Sequence, residues 1–326
     1  MAKLNLPIRE YQICTKTVKD TTDPYIKFDS QGISNFYWDF NKKYKNLWNK
    51  KNQNELKQKI DLIKKRSINK EFDSILGLSG GLDSSYMLHK VVTEYGLRPL
   101  VFHVDGGWNS EEATHNINSL IDRLGLDLFT EVINWEEMRD FQLAMFKAGL
   151  PNLDVPQDMA FIGILYKFAE KFGIKYILNG GNISTESIRA PYHLLYWVSD
   201  MRHTKDILRK FGTVPMNSYP FSGTIYNRFW IPYVKRLKLF KPLNLIDYKK
   251  KDAIEELKAI YNWRPLKQKH FESRFTKFFE GYWLPKRFNY DRRRDFLSSL
   301  ILTGQITRSE ALRDLENNPF PLNNDE

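Results

Sequence analysis

The stretch GLSGGLDSS, residues 77–85, joins an apolar segment to a helical pattern. Glycines at 80 and 81 let the backbone turn sharply and let its N–H groups approach a ligand closely. The helix that starts near Asp83 and Ser84 adds the positive end of its dipole, so an anion fits at this turn. The stretch lacks the lysine of a GxxxxGK[ST] loop and the spacing of a GxGxxG loop. It therefore predicts a phosphate-binding loop of another kind.

Around this loop the chain alternates short apolar segments with helical patterns. We expect strands at 73–78, 99–104, 128–133 and 174–179, and helices at 83–95, 110–124, 136–148 and 157–172. Short buried strands separated by helices are typical of a parallel sheet covered on both faces. Residues 69–190 are therefore predicted to form an α/β nucleotide-binding core with its site at the carboxyl ends of the strands.

The two flanking segments have different patterns. Residues 1–68 form a small irregular N-terminal segment with turn signals and one basic amphipathic helix at 53–66. Residues 191–326 lose the strand pattern and become aromatic and basic, which predicts a mostly helical region with helices at 200–211, 250–261, 270–282, 292–302 and 308–316. Thr307 and Glu310 fit a capping box before the last of these helices.

The composition is that of a folded protein with an anionic partner. The 326 residues are 42% hydrophobic, and 50 basic against 39 acidic residues give a net charge of +11. Each of the basic runs at 42–45, 64–66, 249–251 and 292–294 is expected to lie on solvated surface. The N-terminus has no signal-peptide core and no apolar run approaches about 20 residues, so we expect a cytoplasmic protein without a membrane partner.

The loop resembles the SGGxDS signature of the pyrophosphate-loop (PP-loop) superfamily of N-type ATP pyrophosphatases, whose core has an adenine nucleotide alpha-hydrolase-like (HUP-type) fold. The resemblance implies that the loop grips the β,γ-pyrophosphate of ATP as a leaving group, while chemistry takes place at the α-phosphate. An ordinary glycine-rich turn is the competing interpretation. The implied ATP-binding residues at the loop are Leu78, Ser79, Gly80, Gly81, Asp83, Ser84 and Ser85.

Two further stretches follow predicted strands. VFHVDGGWNSEE, 101–112, places His103 and Asp105 in reach of a ribose or adenine, although His103 also fits a core histidine. ILNGGNISTES, 177–187, adds Gly180 and Gly181 to the ATP candidates. It resembles the strand and loop of NAD synthetases in this superfamily, where a glutamate helps to bind Mg²⁺. Asp83 and Glu186 are therefore the magnesium candidates, and a first-turn carboxylate favoured by the helix dipole is the alternative for Glu186.

Nearly the whole chain resembles the N-acetyl sugar amidotransferase family of bacterial lipopolysaccharide and flagellin-sugar pathways, the WbpG/PseA type. Besides the loop, the matching stretches are DTTDPYIKFDSQGISN (20–35), HVDGGWNSEEATHNI (103–117), VINWEEMRDFQLA (132–144), DVPQDMA (154–160), NGGNISTE (179–186), KHFESRFTKFFEGYWLP (269–285) and FLSSLILTGQITRSEAL (296–312). The resemblance implies that ATP adenylates the N-acetyl oxygen of a nucleotide-linked sugar and that ammonia then displaces AMP, leaving an acetamidino group.

The same resemblance implies roles for several side chains and partners. Asp83, Glu186, His270 and Glu272 are the catalytic candidates, and Asn182, Trp108, Arg274 and Lys277 are the substrate-binding candidates. The aromatic residues of 271–279 recur at helical spacing and are expected to form a core stripe. The cofactors are ATP and Mg²⁺, the substrate is a UDP- or CMP-linked N-acetyl sugar, and a HisH-like glutaminase with a HisF-like barrel protein supplies the ammonia.

The chain departs from the family at its N-terminus. Members of the family usually carry two CxxC pairs there, and the four thiolates of these pairs would form a zinc site. Here the four positions are Cys14, Thr17, Ser34 and Tyr37, and Cys14 is the single cysteine of the chain. No zinc is therefore expected, and the segment is predicted to be a degenerate zinc-ribbon-like turn. A glutaminase nucleophile is absent from this chain too, since it would need a cysteine–histidine unit.

Two other functions compete with the amidotransferase. A PP-loop enzyme that adenylates a tRNA base fits the positive charge, but no RNA-binding module signature is visible, so nucleic acid is not the expected partner. A non-catalytic subunit fits the lost cysteines, whereas the intact SGGLDS loop favours a working ATP site.

Overall fold

In the computed structural model, which describes residues 9–44 and 50–320, the chain forms two compact units. The sheet unit comprises Trp48–Gly181 and Tyr196–Lys277, and the terminal unit comprises Met1–Leu47, Asn182–Leu195 and Phe278–Glu326. Residues 1–8, 45–49 and 321–326 of the predicted end segments lie outside the described residues. The division into 1–68, 69–190 and 191–326 stays a prediction, since each unit is assembled from separated stretches of sequence.

The sheet unit is built on one parallel sheet. Its strands are β1 (Ser74–Gly77), β2 (Pro99–Asp105), β3 (Leu128–Val132), β4 (Tyr176–Leu178) and β5 (Lys238–Phe240), in the order β3-β2-β1-β4-β5. Every neighbouring pair is parallel. The predicted fold class is thereby confirmed, and the four predicted strands are present. The prediction that no strand follows residue 190 is wrong, because β5 is too short and too exposed to show a strand pattern in sequence.

Helices account for most of the remaining described chain. In chain order they are α1 (Asn35–Tyr44), α2 (Lys50–Arg66), α3 (Leu82–Thr93), α4 (Glu111–Leu124), α5 (Trp135–Ala148), α6 (Val155–Lys171), α7 (Ile183–Glu186), α8 (Met201–Phe211), α9 (Lys250–Tyr261), α10 (Arg274–Phe278), α11 (Leu284–Phe288), α12 (Arg293–Leu302) and α13 (Arg308–Glu316). Two π-helices occupy Tyr226–Val234 and Phe279–Trp283, and a short 3-10 turn spans Pro242–Asn244. None of the helices in this described part combines the length and the apolar character that crossing a bilayer requires.

Helices cover both faces of the sheet. Leu76 and Leu78 belong to one buried cluster with residues of α3, α4 and α9. A Cβ placed on Gly77 would lie on the opposite face of the sheet, 2.4 Å from the Phe161 ring of α6. Because successive strand residues face opposite sides, α3, α4 and α9 lie on one face and α6 on the other.

The predicted helix at 270–282 begins later than expected, at Arg274. Ser273 pairs with Asn109 in an antiparallel bridge, and His270 has φ 68°, so residues 270–273 cannot be helical. The other predicted helices are present, and α13 has the predicted capping box of Thr307 and Glu310. The predicted core stripe is confirmed at Phe271, Phe275 and Phe279, which are buried, whereas Phe278 is only partly buried.

The terminal unit has a buried network of charges at its centre. Lys19, with 1% of its surface exposed, contacts Asp23 at 2.7 Å and Asp295 at 2.8 Å. Arg293 is buried among three backbone carbonyls and Asp291. Arg294 binds Asp20 at 2.9 Å. The expectation that the run 292–294 is solvated surface is therefore wrong, because these guanidinium groups join the N- and C-terminal stretches of the unit.

Candidate functional site

The candidate site lies where the strand order of the sheet reverses, between β1 and β4. Open parallel sheets bind ligands beyond the carboxyl ends of the strands at such a switch point. The loop Leu78–Gly81 leaves β1 there, and the loop 179–181 leaves β4. A Cβ on Gly180 would lie 3.2 Å from the backbone of Asp83 and of Ser84. The two glycine-containing loops are therefore in contact, as a shared ligand site requires.

The first of these loops is held in shape by its own hydroxyl groups. The Ser84 hydroxyl donates to the Gly81 carbonyl at 3.2 Å and accepts from the Ser79 N–H at 3.3 Å. Gly80 has φ 78°, and a Cβ there would lie 2.4 Å from the Ala113 carbonyl oxygen of α4. No side chain caps α3 at Gly81, so the positive end of this helix is left to an anion.

Asp83, in the first turn of α3, is held by a cation from a distant part of the chain. Its carboxylate forms an ion pair with the Lys269 ammonium group and accepts a hydrogen bond from the Tyr248 hydroxyl at 2.6 Å. Burial alone would raise the pKa of Asp83, but the charge and hydrogen bond of Lys269, the Tyr248 hydroxyl and the nearby His270 together hold that pKa below its ordinary value. Asp83 is therefore a carboxylate at neutral pH.

Glu272 brings a second carboxylate to the loop. It accepts a hydrogen bond from the Ser79 hydroxyl at 3.2 Å, and its backbone carbonyl accepts from the Ser110 N–H at 2.9 Å. The next turn is anchored at the start of α6, where Asp154, the N-cap residue, accepts from the Thr276 hydroxyl at 2.8 Å and Gln157 accepts from the Ser273 hydroxyl. The segment that starts at Lys269 is thereby fixed beside the phosphate loop.

The residues predicted at the end of β2 are engaged with the protein. His103 is buried, its Nδ1 lies 2.8 Å from the Leu78 carbonyl oxygen and its Nε2 lies 3.0 Å from the Asn109 amide nitrogen. Asp105 accepts from the Gly107 N–H at 2.8 Å. Both side chains shape the turns around the loop, and contact of either with ATP stays a prediction.

Other predicted site residues also have internal partners. The buried Ser85 hydroxyl accepts from the Trp263 indole at 3.3 Å. The Trp108 indole donates to Gln142 at 3.0 Å, and its ring packs against Trp135 and Phe275.

The remaining predicted residues of the sheet unit differ in exposure. Lys277 is buried and Arg274 is exposed. Leu78 lies in the core and Gly181 donates its N–H to Asn179. Their roles toward ATP or substrate stay predictions.

Two predicted residues belong to the terminal unit. Asn182 is buried and caps α7 by accepting from the Thr185 N–H at 2.9 Å. Glu186 is the last residue of that four-residue helix. The pairing of Glu186 with Asp83 as magnesium ligands therefore stays a prediction. Within the sheet unit, Asp83 and Glu272 fit Mg²⁺, since both are carboxylates at the phosphate loop and this ion prefers oxygen ligands from protein and phosphate together.

The positions of the family's zinc cysteines lie together in the terminal unit. Cys14 is buried, and its sulfur accepts a hydrogen bond from the Ser34 N–H at 3.2 Å. Burial alone would raise the pKa of this thiol, but hydrogen bonds from Ser34, Thr17 and Lys16 hold that pKa below its ordinary value. Hydrogen bonds to the single sulfur of Cys14 therefore hold this N-terminal turn together. The absence of zinc stays a prediction.

Sequence reasoning missed Lys269 and Tyr248. Neither lies in a stretch with phosphate-loop character, and both are far from Asp83 in sequence. Lys269 had one available signal, because it begins the stretch KHFESRFTKFFEGYWLP that carries the family resemblance. Tyr248 had none, since a lone tyrosine before a helix does not predict a carboxylate partner.

Comparison with known proteins identifies the C-terminal part of the chain. Residues 272–325 match the family described as LPS biosynthesis protein WbpG-like, C-terminal domain. The resemblance expected from sequence is confirmed over these residues. No curated protein matches the chain.

Two solved structures share low similarity with the chain. The NH3-dependent NAD synthetase from Campylobacter jejuni, in complex with the nitrate ion, is 16% identical, with 64% of this chain and 93% of that chain covered and a TM-score of 0.30. The NMN synthetase from Francisella tularensis is 13% identical, with 64% and 92% covered and a TM-score of 0.31. TM-scores this low support no conclusion about the fold or the function of this chain. The fold assignment therefore rests on the sheet topology and the loop.

Proposed function

Because its C-terminal part carries the WbpG-like domain, we propose that the chain is the synthetase subunit of an ATP-dependent N-acetyl sugar amidotransferase. The observation that carries this proposal is the position of Glu272, the first residue of the WbpG-like match, whose carboxylate binds Ser79 of the phosphate loop. The first residue of a stretch that resembles a lipopolysaccharide-biosynthesis domain therefore contacts an ATP-type loop within the sheet unit. The product would be an acetamidino sugar for a surface polysaccharide or a flagellin glycan.

The loop, the start of α3 and Lys269 would bind the pyrophosphate part of ATP. The uncapped end of α3 supplies partial positive charge, while the Gly81 N–H donates to the Ser79 hydroxyl at 3.3 Å. The loop itself has no lysine, and Lys269 is the cation that lies beside it, on Asp83. We propose that Lys269 supplies the full positive charge for the leaving pyrophosphate.

Asp83 and Glu272 would hold Mg²⁺ with the phosphate oxygens. The two carboxylates outweigh the single positive charge of Lys269 and would repel a phosphate ligand, so their presence supports a metal-bound nucleotide. The ion would supply charge neutralisation of the phosphates during transfer.

The reaction would take place in two displacements. The acetamido oxygen attacks the α-phosphorus, the bond to the bridging oxygen breaks, and pyrophosphate leaves. Ammonia then attacks the former carbonyl carbon, the bond between that carbon and the adenylate oxygen breaks, and AMP leaves. Holding the reactants together supplies much of the acceleration. His270, next to Lys269 and close to Asp83, would in its neutral form take the proton that ammonia loses.

Ammonia would come from separate proteins, a HisH-like glutaminase and a HisF-like barrel, because the chain lacks a cysteine–histidine unit of its own. An ammonium salt replaces these proteins in a test of the synthetase reaction. The substrate carries a UDP or CMP group, which suits the positive net charge of the chain.

The experiment measures AMP and pyrophosphate formed from ATP, Mg²⁺ and an ammonium salt with a panel of UDP- and CMP-linked N-acetyl sugars. AMP is resolved from ADP, bulk tRNA is tested in parallel, and the sugar product is analysed by mass spectrometry. We expect AMP that depends on one sugar nucleotide, with an oxygen of that sugar replaced by NH. AMP formed only with tRNA would identify an RNA-modifying enzyme instead, and absence of turnover even with added glutaminase and barrel proteins would indicate a binding subunit.

A further inference from the structure

The π-helix Tyr226–Val234 presents an exposed apolar face that the proposed reaction does not use. Five large apolar side chains are exposed in and just before it, and we call them the aromatic stripe: Ile225 (81%), Phe229 (58%), Trp230 (43%), Tyr233 (70%) and Val234 (45%). Single exposed apolar residues are common on soluble proteins, but contiguous exposed patches mark interaction surfaces.

The helix type is what gathers these side chains on one face. Counted from Ile225, they follow at i+4, i+5, i+8 and i+9. A π-helix closes its hydrogen bonds from i to i+5, so residues four and five apart lie above one another. In an α-helix the same spacing would spread them around half of the circumference.

The opposite face fixes the helix to the sheet unit. Ile231 is buried, and the Tyr226 hydroxyl donates to Glu170 at 2.5 Å. Lys235 forms an ion pair with the same Glu170 at 3.1 Å, and Asn227 donates to Ser199 at 2.5 Å. The aromatic stripe is therefore held outward on an anchored helix.

The charged residues of the segment that carries the aromatic stripe are all basic. Residues 225–241 contain five basic side chains and no acidic one. Arg228, Arg236 and Lys238 of this segment are exposed. A symmetric contact between two copies of this face would bring like charges together, which disfavours self-association through it. An anionic surface fits it instead.

From this combination we infer that the aromatic stripe and its basic neighbours bind the surface of an anionic lipid bilayer. Trp, Tyr and Phe side chains with Lys and Arg beside them are typical of segments that lie in the headgroup layer. Lysine is depleted at protein–protein interfaces, whereas it is attracted to anionic lipids, and this favours a bilayer over an acidic protein. Such binding needs no membrane-spanning length. It would replace the expectation of no membrane partner, which rested only on the absence of a spanning segment and of a signal peptide.

The test is co-sedimentation of the full chain with vesicles of phosphatidylglycerol and phosphatidylcholine, with vesicles of phosphatidylcholine alone in parallel. We expect binding to the anionic vesicles that weakens as salt is added. The variant Phe229→Ser/Trp230→Ser/Tyr233→Ser should bind at least tenfold more weakly, and Arg236→Gln/Lys238→Gln should also bind more weakly. The control Val132→Ser/Tyr192→Ser removes two side chains that are 72% and 65% exposed outside the stripe and should bind as the wild type does.

Two outcomes would overturn the inference. One is a wild-type chain that does not bind anionic vesicles, and the other is a stripe variant that binds them as well as the control does. Circular dichroism of each variant establishes that it is folded. If instead the stripe variant kept vesicle binding and lost only the turnover that depends on ammonia-supplying proteins, a protein partner would be the occupant. The binding measurement needs no substrate, so its failure is separate from failure of the proposed function.

Discussion

Asp83 shows how one residue can join a sequence motif to a distant part of the chain. It belongs to the loop signature, yet the structure pairs it with Lys269 and Tyr248, which lie far along the chain. The loop resembles a phosphate loop without a lysine, and the tertiary structure brings one to it. In the proposed reaction a cation at the phosphates matters, because pyrophosphate carries several negative charges when it leaves.

Removing this cation should weaken pyrophosphate binding and adenylation. We expect Lys269→Met to lower ATP-dependent pyrophosphate release about 100-fold and to raise the KM for ATP. Lys269→Arg should restore part of the loss, since it keeps the charge but not the shape. Equilibrium binding of inorganic pyrophosphate provides a second measurement that does not depend on turnover.

The matched control is Lys258→Met, which removes an exposed lysine of α9. It should behave as the wild type does. If Lys269→Met bound pyrophosphate as tightly as this control, Lys269 would have no role at the phosphates.

Gly80 tests whether the loop needs a glycine for its conformation or for space. Gly80→Ala places a side chain at φ 78° and 2.4 Å from the Ala113 carbonyl oxygen. Gly125→Ala is the control, because Gly125 has φ 63° but nothing within 4 Å of its Cβ position. The control should lose about 1–2 kcal/mol of unfolding free energy from backbone strain alone.

Gly80→Ala should lose about 1–3 kcal/mol more than this, from overpacking, together with ATP turnover. Urea unfolding of both variants and the AMP assay measure the two effects. Equal losses of stability in the two variants would contradict the close packing of Gly80 on α4.

At the scale of elements, α5 is tied to the chain beyond α8 by one buried carboxylate. Asp140 accepts from the Thr213 N–H at 2.8 Å, the Thr213 hydroxyl at 2.6 Å and the Val214 N–H at 3.1 Å. Burial alone would raise the pKa of Asp140, but these three hydrogen bonds hold that pKa below its ordinary value. The ionised form is therefore the one that joins the two elements.

This carboxylate predicts a pH dependence of stability. Because the pKa of Asp140 is lower in the folded than in the unfolded chain, its contribution is complete above about pH 4 and is lost as the pH falls through the folded value. Asp140→Asn should cost about 1–3 kcal/mol at pH 7, and this difference from the wild type should shrink at pH 3. Urea unfolding at both pH values measures it.

The exposed Asp122 of α4 is the comparison residue. Asp122→Asn should change stability little at either pH, as exposed substitutions usually do. A difference between Asp140→Asn and the wild type that grew toward acid would contradict the assignment.

At the scale of the whole molecule, each unit is assembled from separated stretches of sequence. The terminal unit joins the beginning of the chain to its end through Lys19, Asp23 and Asp295, all of them at most 1% exposed. The Tyr290 hydroxyl, 2.9 Å from the Lys19 ammonium nitrogen, completes the group. Buried charges of this kind are costly when one partner is removed, because the others remain desolvated.

Lys19→Met should therefore destabilise the terminal unit by about 3–5 kcal/mol. Lys59→Met is the control, since Lys59 pairs with Glu55 at 2.7 Å but both side chains are nearly half exposed. The control should cost less than about 1 kcal/mol. Thermal unfolding monitored by calorimetry compares the two, and a similar small loss in both would mean that the Lys19 network contributes nothing beyond a surface pair.

The sequence by itself determined the sheet, the helices around it and the place of the predicted phosphate loop. Strands β1 to β4 and the helices between them follow from local patterns of apolar residues, turns and caps, and those patterns are carried by neighbouring residues. The position of the site follows as well, because parallel strands with helical crossovers bring their carboxyl ends to one edge. The phosphate binding that its glycines and hydroxyls indicate stays a prediction.

Only the tertiary structure decided which side chains meet at and beyond that loop. Lys269 on Asp83, Glu272 on Ser79 and Arg294 on Asp20 all depend on contacts between residues far apart in sequence. Strand β5 and the π-helix that gathers the aromatic stripe have no local pattern that distinguishes them from loop or α-helix. Local patterns record the preferences of neighbouring residues, whereas the partner of a charged group is set by where the folded chain brings it.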